Sequence, residues 1–413
     1  MIPRDAARTI LAHLDRQPAV RMPLDDALGA VLAEDIVSPL DIPVHTNSAM
    51  DGYAARAQDV RGASESAPVR LRVVDRIAAG QVPERGIGPG ECARIFTGAP
   101  LPEGADSVIR QEDTDLGVEV VSIVKDRDAG VNWRRAGEDI RRGETVLRSG
   151  EELGPARLGV LASLAVAHPL VYRRPRVGIL GSGDEIVDLD QAEDILAGRR
   201  IASSNTHTLL ALVRLAGGIP VNLGIARDSP ESLREHLAAA ADCDLLVTTA
   251  GISVGEHDFL RQVMEELETE IKFWKLRMRP GAPVGFGMMG RLPWIGLPGN
   301  PVSTMVTFEL FVRPAIRALA GHARPYRRSV PVRVGEAVHL KPRLQHFLRA
   351  VVTETPDGLE ARLTGPQGSG ILTSMVRANA LLIIPEGQFD TPAGATARAI
   401  RLDDWVCEEE PGY

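Results

Sequence analysis

The chain's 413 residues are 44% hydrophobic and 25% charged, which excludes a disordered polymer, a collagen-like rod and a small disulfide scaffold. At roughly 150 residues per domain the length suggests about three domains, and with aromatics at only 4% their cores must be aliphatic. Forty-seven Lys and Arg against 55 Asp and Glu leave a net charge of −8, a poor basis for general binding of nucleic acid or anionic lipid.

The opening Met-Ile-Pro-Arg-Asp is charged by residue 4 with no apolar run behind it, so no secretory signal is read. Apolar residues at three- and four-residue spacing predict helices over 5–14 and 24–33, each followed by Pro or Gly. Over 41–150, alternating runs at 69–74, 94–96, 107–110 and 118–124 lie between Gly and Pro turns and predict a small β domain. A helix with Pro155 in its first turn runs to 167; its stretch 158–167 is the longest apolar run, too short for a bilayer span of about 20 residues. Strands at 176–180, 221–225, 245–248 and 271–274 then alternate with helices at 206–216, 231–241 and 258–267. That alternation predicts an α/β fold with a doubly wound, mostly parallel sheet. A long apolar helix opens with Asn300 as N-cap and Pro301 at its first position, and Gly321 stops it near residue 320. Strands at 330–334, 347–353, 359–363, 380–384 and 396–401 make a C-terminal β domain. The three cysteines, Cys92, Cys243 and Cys407, are odd in number and scattered, which argues for a reduced cytoplasmic protein without a cysteine-built zinc site.

In open α/β sheets ligands bind beyond the carboxyl ends of the strands. The segments that leave the predicted strands there are 181–185 (Gly-Ser-Gly-Asp-Glu), 226–229 (Ala-Arg-Asp-Ser), 249–258 and 296–303. Each is ordinary loop and cap chemistry by itself. Together they form a rim of small residues and helix N-termini suited to anions. Asp184, Glu185, Asp228 and Asp258 gather acid at this rim, where hard oxygen ligands suit Mg²⁺ bridging to a phosphorylated substrate; N-capping is the plainer role for each. Residues 271–282 carry Lys272, Lys275, Arg277 and Arg279 with no acid, and 323–349 hold seven Lys and Arg against Glu336. Such runs form either a solvated basic face or a cationic pocket for a small anion. Ser253 stands in a Gly-x-Ser-x-Gly sequence like a hydrolase nucleophile elbow. However, His322, His339 and His346 fall in or before the basic β domain and no His-Gly-Gly segment exists, so Ser253 reads as a phosphate-loop hydroxyl.

Several segments together resemble one family, the molybdopterin molybdenumtransferases of MoeA type, which include the E domain of gephyrin. They are 47–54 (Asn-Ser-Ala-Met-Asp-Gly-Tyr-Ala), 95–106, 134–140 (Arg-Arg-Ala-Gly-Glu-Asp-Ile), 183–185, 251–258, 273–281, 296–303 (Gly-Leu-Pro-Gly-Asn-Pro-Val-Ser) and 365–369. The resemblance implies insertion of molybdate into the dithiolene of adenylylated molybdopterin, with Mg²⁺-dependent cleavage of the adenylate and release of AMP. It implies an elongated homodimer with sites shared between subunits, supplied by a molybdopterin adenylyltransferase and serving recipient molybdoenzymes. It also implies an N-terminal helix (1–26) on the doubly wound domain (175–322), a linker domain (27–45 and 143–174), an inserted β domain (46–142) and a C-terminal β domain (323–413). By the same resemblance Asp51, Asp139, Glu185 and Asp228 are the catalytic and Mg²⁺-holding acids. Thr97, Gly251, Ser253, Gly255, Asp258, Lys275, Pro298, Asn300, Pro301 and Ser303 would bind the precursor, and Lys275, Arg279, Arg349 and Ser369 the molybdate.

The sequence departs from the family pattern in four places. Arg279 stands where many members have Lys, Ala282 replaces a common Lys, Ala250 replaces a Gly, and 201–205 (Ile-Ala-Ser-Ser-Asn) replaces an Asp-bearing loop. These leave open a divergent paralogue that inserts tungstate or only binds the precursor. A relative sharing the doubly wound domain alone is disfavoured by segments 47–54 and 134–140, and a non-catalytic dimeric scaffold by the intact carboxylates.

Overall fold

The computed structural model describes residues 1–251, 259–340 and 344–402. The chain divides into two compact units: Glu34–Ser149 with Gly159–Ala167, and Met1–Ala33, Gly150–Leu158 and His168 onward.

The larger unit is built on a six-stranded sheet. Strands Ile219–Ala226, Arg176–Ser182, Leu245–Thr249 and Leu292–Leu297 lie side by side in parallel, then Gly285–Met289 and Glu270–Phe273 run antiparallel to the edge. Alternation along these strands divides their side chains between two cores. Val177, Ile179, Leu245 and Val247 face one core with helices Pro3–Ala12, Ser204–Leu215 and Pro301–Thr307. Leu180, Leu246 and Trp294 face the other with helices Pro230–Ala238 and Phe259–Glu266. Helices on both faces of a largely parallel sheet make the expected doubly wound fold.

The strand Gly285–Met289 was not expected, because glycines break its apolar pattern. They are there for close approach: a Cβ on Gly285 would sit 2.6 Å from the Trp294 ring, and one on Gly287 3.0 Å from the Glu270 carbonyl oxygen. The long C-terminal helix runs as Pro301–Thr307, a π-helical turn Phe308–Val312, and Arg313–Leu319. Pro314 lacks the N–H that a regular ladder needs, and a π turn ahead of it absorbs the mismatch. The helix expected over 24–33 is corrected to a 3₁₀ turn, Leu24–Asp26. Gly29 there is left-handed at φ +74°, and Val31 and Leu32 instead bridge Glu152 and Val171 as extended chain.

The C-terminal strands close on themselves. Gln345–Thr355 pairs with Gly358–Leu363, that with Ser329–Val334, then Thr396–Arg401, then Ala380–Ile384, which returns to Gln345–Thr355. Small and aliphatic residues, Val332, Ala350, Ala361, Leu382 and Ala399 among them, fill this five-stranded barrel. The smaller unit holds a five-stranded sheet in the order Ser107–Arg110, Gly52–Ala55, Glu91–Ile95, Val69–Ile77, Val120–Ile123. Its second strand, Gly52–Ala55, is buried throughout and short enough to escape a pattern of alternation. Among the described residues no helix is long and apolar enough to cross a membrane.

Candidate active site

Beyond the carboxyl ends of the parallel strands lies a cavity of about 500 Å³. Gly181, Ser182, Glu185 and Ile186 come to it from the first strand's exit and Ile201 to Asn205 from the start of the next helix. Thr249 to Gly251 and Pro298 to Pro301 complete it. Glu185 is exposed, and its carboxylate accepts no hydrogen bond from the described residues. Asp184 and Asp228 sit on neighbouring loops and hold each other through reciprocal long bonds: the Asp184 N–H donates to Asp228 Oδ2 at 3.4 Å and the Asp228 N–H to Asp184 Oδ1 at 3.3 Å.

The rim opposite is fixed by side chains that sequence reasoning passed over. Asn205 Nδ2 donates to Thr249 Oγ1 at 3.0 Å and to the Gly299 carbonyl at 2.7 Å. Thr249 Oγ1 and Thr304 Oγ1 in turn donate to the Pro298 carbonyl at 3.2 and 2.6 Å. Ala250, at φ +72°, and Gly251, at φ +70°, both take the left-handed conformation at this turn. Asn300 occupies the N-cap position of Pro301–Thr307 but makes no side-chain cap bond, so its amide is open to the cavities on either side.

A second cavity, of about 290 Å³, shares Pro283, Pro298 and Asn300 with the first and adds Arg279, Gly281, Ala282, Ser303, Gln367 and Ser369. The basic runs are sorted here. Lys272 pairs with Glu270 and Arg277 with Glu386. Arg327 pairs with Glu309 and Arg333 with Glu360. Of the run 271–282, Lys275 and Arg279 are left exposed without an ion pair among the described residues, Arg279 in this cavity's lining and Lys275 in neither lining. Arg349, on the barrel strand Gln345–Thr355, is fully buried. Its Nε donates to Ser374 Oγ at 3.1 Å and Nη2 to the Gly368 carbonyl at 2.9 Å, and burial pushes its pKa down to about 10. It props the loop that carries Ser369, whose carbonyl accepts from the Val302 N–H.

In the smaller unit Asp51 Oδ1 accepts from the Thr97 N–H and from Thr97 Oγ1, each at 2.8 Å. These bonds hold the Asp51 carboxyl below its ordinary range. The hydroxyl expected on a ligand is thus donated to Asp51. Asp139 is exposed, with its N–H on the Ile42 carbonyl. Ser253, Gly255 and Asp258 lie outside the described residues.

Among the described residues no three His, Cys, Asp or Glu converge as a ready-made metal cage. Mg²⁺ does not require one: it commonly takes one or two carboxylates and completes its shell with substrate phosphates and water. The free Glu185 carboxylate in the cavity, with the Asp184–Asp228 pair on adjoining loops, fits that mode.

A doubly wound sheet with two joined cavities at its strand exits, one acid-lined and one cation-lined, together with a closed barrel, defines a multidomain α/β protein with a small-molecule site. Three family descriptions match in chain order: the MoeA N-terminal region (domain I and II) over 2–165, a probable molybdopterin binding domain over 178–318, and the MoeA C-terminal region (domain IV) over 331–402. A molybdopterin molybdenumtransferase of a Nostoc species is 36% identical over 91% of this chain and 87% of its own length. Molybdopterin molybdenumtransferase 2 of Mycobacterium tuberculosis is 37% identical over 91% and 93%. The crystal structure of a molybdopterin biosynthesis MoeA protein from Pyrococcus horikoshii OT3 superposes with a TM-score of 0.80 at 29% identity, covering 97% of this chain and 99% of that one. The chain belongs to the molybdopterin molybdenumtransferases, enzymes of molybdenum cofactor biosynthesis.

Proposed function

We propose that the chain inserts molybdate into the dithiolene of adenylylated molybdopterin, with cleavage of the adenylate and release of AMP, in the cytoplasm. The observation that carries this reading is the joining of the two cavities through Pro298 and Asn300. A substrate with a pyrophosphate at one end and a dithiolene at the other needs an acid-lined chamber that can take a metal beside a cationic one that can take a tetrahedral dianion. In the larger cavity a water oxygen replaces the bridging oxygen on phosphorus, and the water's proton passes by the Glu185 carboxylate to solvent. Bound Mg²⁺ would neutralise charge on the phosphates, with Glu185 and Asp228 as its carboxylates. In the smaller cavity Arg279, Ser303 and Ser369 hold molybdate through charge-assisted hydrogen bonds, with Lys275 at the approach. Two Mo–S bonds then form as one oxo ligand leaves molybdate as water, which carries off both thiol protons.

In this reading Asp51, Thr97 and Asp139 complete the acid chamber of a partner subunit in a homodimer, with 27–45 and 143–174 as the linker. The test is AMP release from adenylylated molybdopterin and Mg²⁺, with and without molybdate, by the wild-type chain and Glu185→Gln. Molybdate-dependent release that the variant loses is expected; full turnover by a folded variant would remove Glu185 from the chemistry. Silence of the wild type with tight precursor binding would make the chain a carrier.

A further inference from the structure

Asn205 lies in the first turn of helix Ser204–Leu215 and lines the larger cavity. Its side chain has one donor nitrogen and one acceptor oxygen, and the Gly299 carbonyl 2.7 Å away can only accept. The nitrogen must therefore face the 249 and 299 loops, where both of its protons are used. Oδ1 is the remaining atom, and it accepts no hydrogen bond from the described residues. Two neighbouring hydroxyls on that wall are already committed: Ser203 Oγ is tied to Thr206 Oγ1 at 2.7 Å, and Thr249 Oγ1 donates to the Pro298 carbonyl.

We propose that Asn205 reads a hydrogen-bond donor on the bound ligand, with Oδ1 aimed in advance by the two bonds its nitrogen makes. This rests on the function proposed above. A phosphate oxygen at neutral pH has no proton to offer and is repelled by a carbonyl-type oxygen, so Asn205 rejects the phosphates and selects an N–H or O–H edge. Two parts of the proposed substrate carry such an edge: the amino and amide N–H groups of the pterin, and the adenosine, through its ribose hydroxyls and adenine amine. The fixed amide thus orients the ligand, its donor edge at the helix Ser204–Leu215 wall and its phosphates elsewhere in the chamber.

The experiment measures dissociation constants of molybdopterin and of AMP, separately, for the wild-type chain and Asn205→Ala. Loss of one ligand hydrogen bond is expected to weaken one probe on the order of fivefold to tenfold and the other by less than about twofold. Weakening of molybdopterin alone assigns the donor to the pterin, and weakening of AMP alone assigns it to the adenosine. Equal weakening of both probes overturns the proposal, because Asn205 then merely holds the loops. No change in either also overturns it. Thermal unfolding of each variant is followed in parallel, and if Asn205→Ala does not fold, Asn205→Ser, whose hydroxyl is too short to bridge both loops, is read by the same criteria. A wild-type chain that binds neither probe defeats the functional reading and this one with it, whereas wild-type binding with an unaffected variant defeats the role of Asn205 alone.

Discussion

Ala250 should be more stable as glycine, the reverse of the usual order. It sits at φ +72° on the turn between strand Leu245–Thr249 and the cavity, held by its N–H on the Leu297 carbonyl at 3.1 Å. A left-handed L-residue costs about 1–2 kcal/mol because its Cβ crowds the following carbonyl oxygen. Replacement by Gly removes that strain but adds backbone freedom to the unfolded chain, which costs about 0.4–1 kcal/mol. The net expectation for Ala250→Gly is a gain of about 0.5–1 kcal/mol. Because the chain has several cores and need not unfold in one step, the fitting assay is native-state hydrogen exchange under mild denaturant. The amides of Arg176–Ser182 and Leu245–Thr249 report this sheet by itself. Slower exchange there, with the smaller unit unchanged, is the expected result. Faster exchange by the equivalent of about 1 kcal/mol, as for Ala→Gly in a helix interior, would refute the reasoning.

Gly281→Ala is expected to destabilise the larger unit by about 1–3 kcal/mol and to abolish molybdate dependence, since its Cβ would lie 2.4 Å from Thr307 Cγ2 at a φ of +88°, two residues from Arg279. An unchanged melting temperature would contradict that close approach. Arg349→Lys should raise the molybdate concentration for half-maximal AMP release while leaving the precursor requirement near normal. Lysine lacks the planar fork that spans Ser374 Oγ and the Gly368 carbonyl, so the loop with Ser369 loosens. For Asp51, a folded-state pKa below the ordinary range means its stabilising contribution is full above that range and is lost as pH falls through the lowered value. Thr97→Val removes one of the two donors, so the acid-unfolding midpoint should move to higher pH, and an unmoved midpoint would disprove the link.

The parts of the fold legible in the sequence are those where one physical signal dominates. Strands of the doubly wound sheet announced themselves as apolar runs, and the barrel strands Ala380–Ile384 and Thr396–Arg401 stand where alternation placed them. Three features were hidden because another force outweighed the local pattern. Gly285 and Gly287 look like a turn but serve packing against Trp294 and Glu270. Apolar spacing over 24–33 looks helical, yet the chain is held extended by bridges to residues far along the sequence, Glu152 and Val171. Closure of the barrel depends on the pairing of Gln345–Thr355 with Ala380–Ile384, a long-range register that no local window contains.

The site shows the same division at the level of single charges. Reading which segments leave the parallel strands was enough to place Glu185, Gly251, Pro298, Asn300 and Pro301 around one cavity, because strand ends in such a sheet share one edge. It was not enough to say which cations are available there. Lys272 and Arg277 looked equivalent to Lys275 and Arg279, and only the positions of Glu270 and Glu386 separate them. Glu270 is a near neighbour in sequence, but Glu386 reaches Arg277 from beyond the barrel strand Ala380–Ile384, so the free charge near the second cavity is decided by tertiary structure. Arg279 also shows how a departure can be accommodated. In the function proposed above, with Ala282 in the same lining, the smaller cavity relies on one planar cation, Arg279. Such a pocket grips a tetrahedral anion through a fixed fork and gives up the adaptability of paired ammonium groups. Its discrimination between oxyanions should therefore rest on the spacing between Arg279, Ser303 and Ser369 more than on net charge, and that spacing is held by the Arg349 prop and the close packing of Gly281 on Thr307.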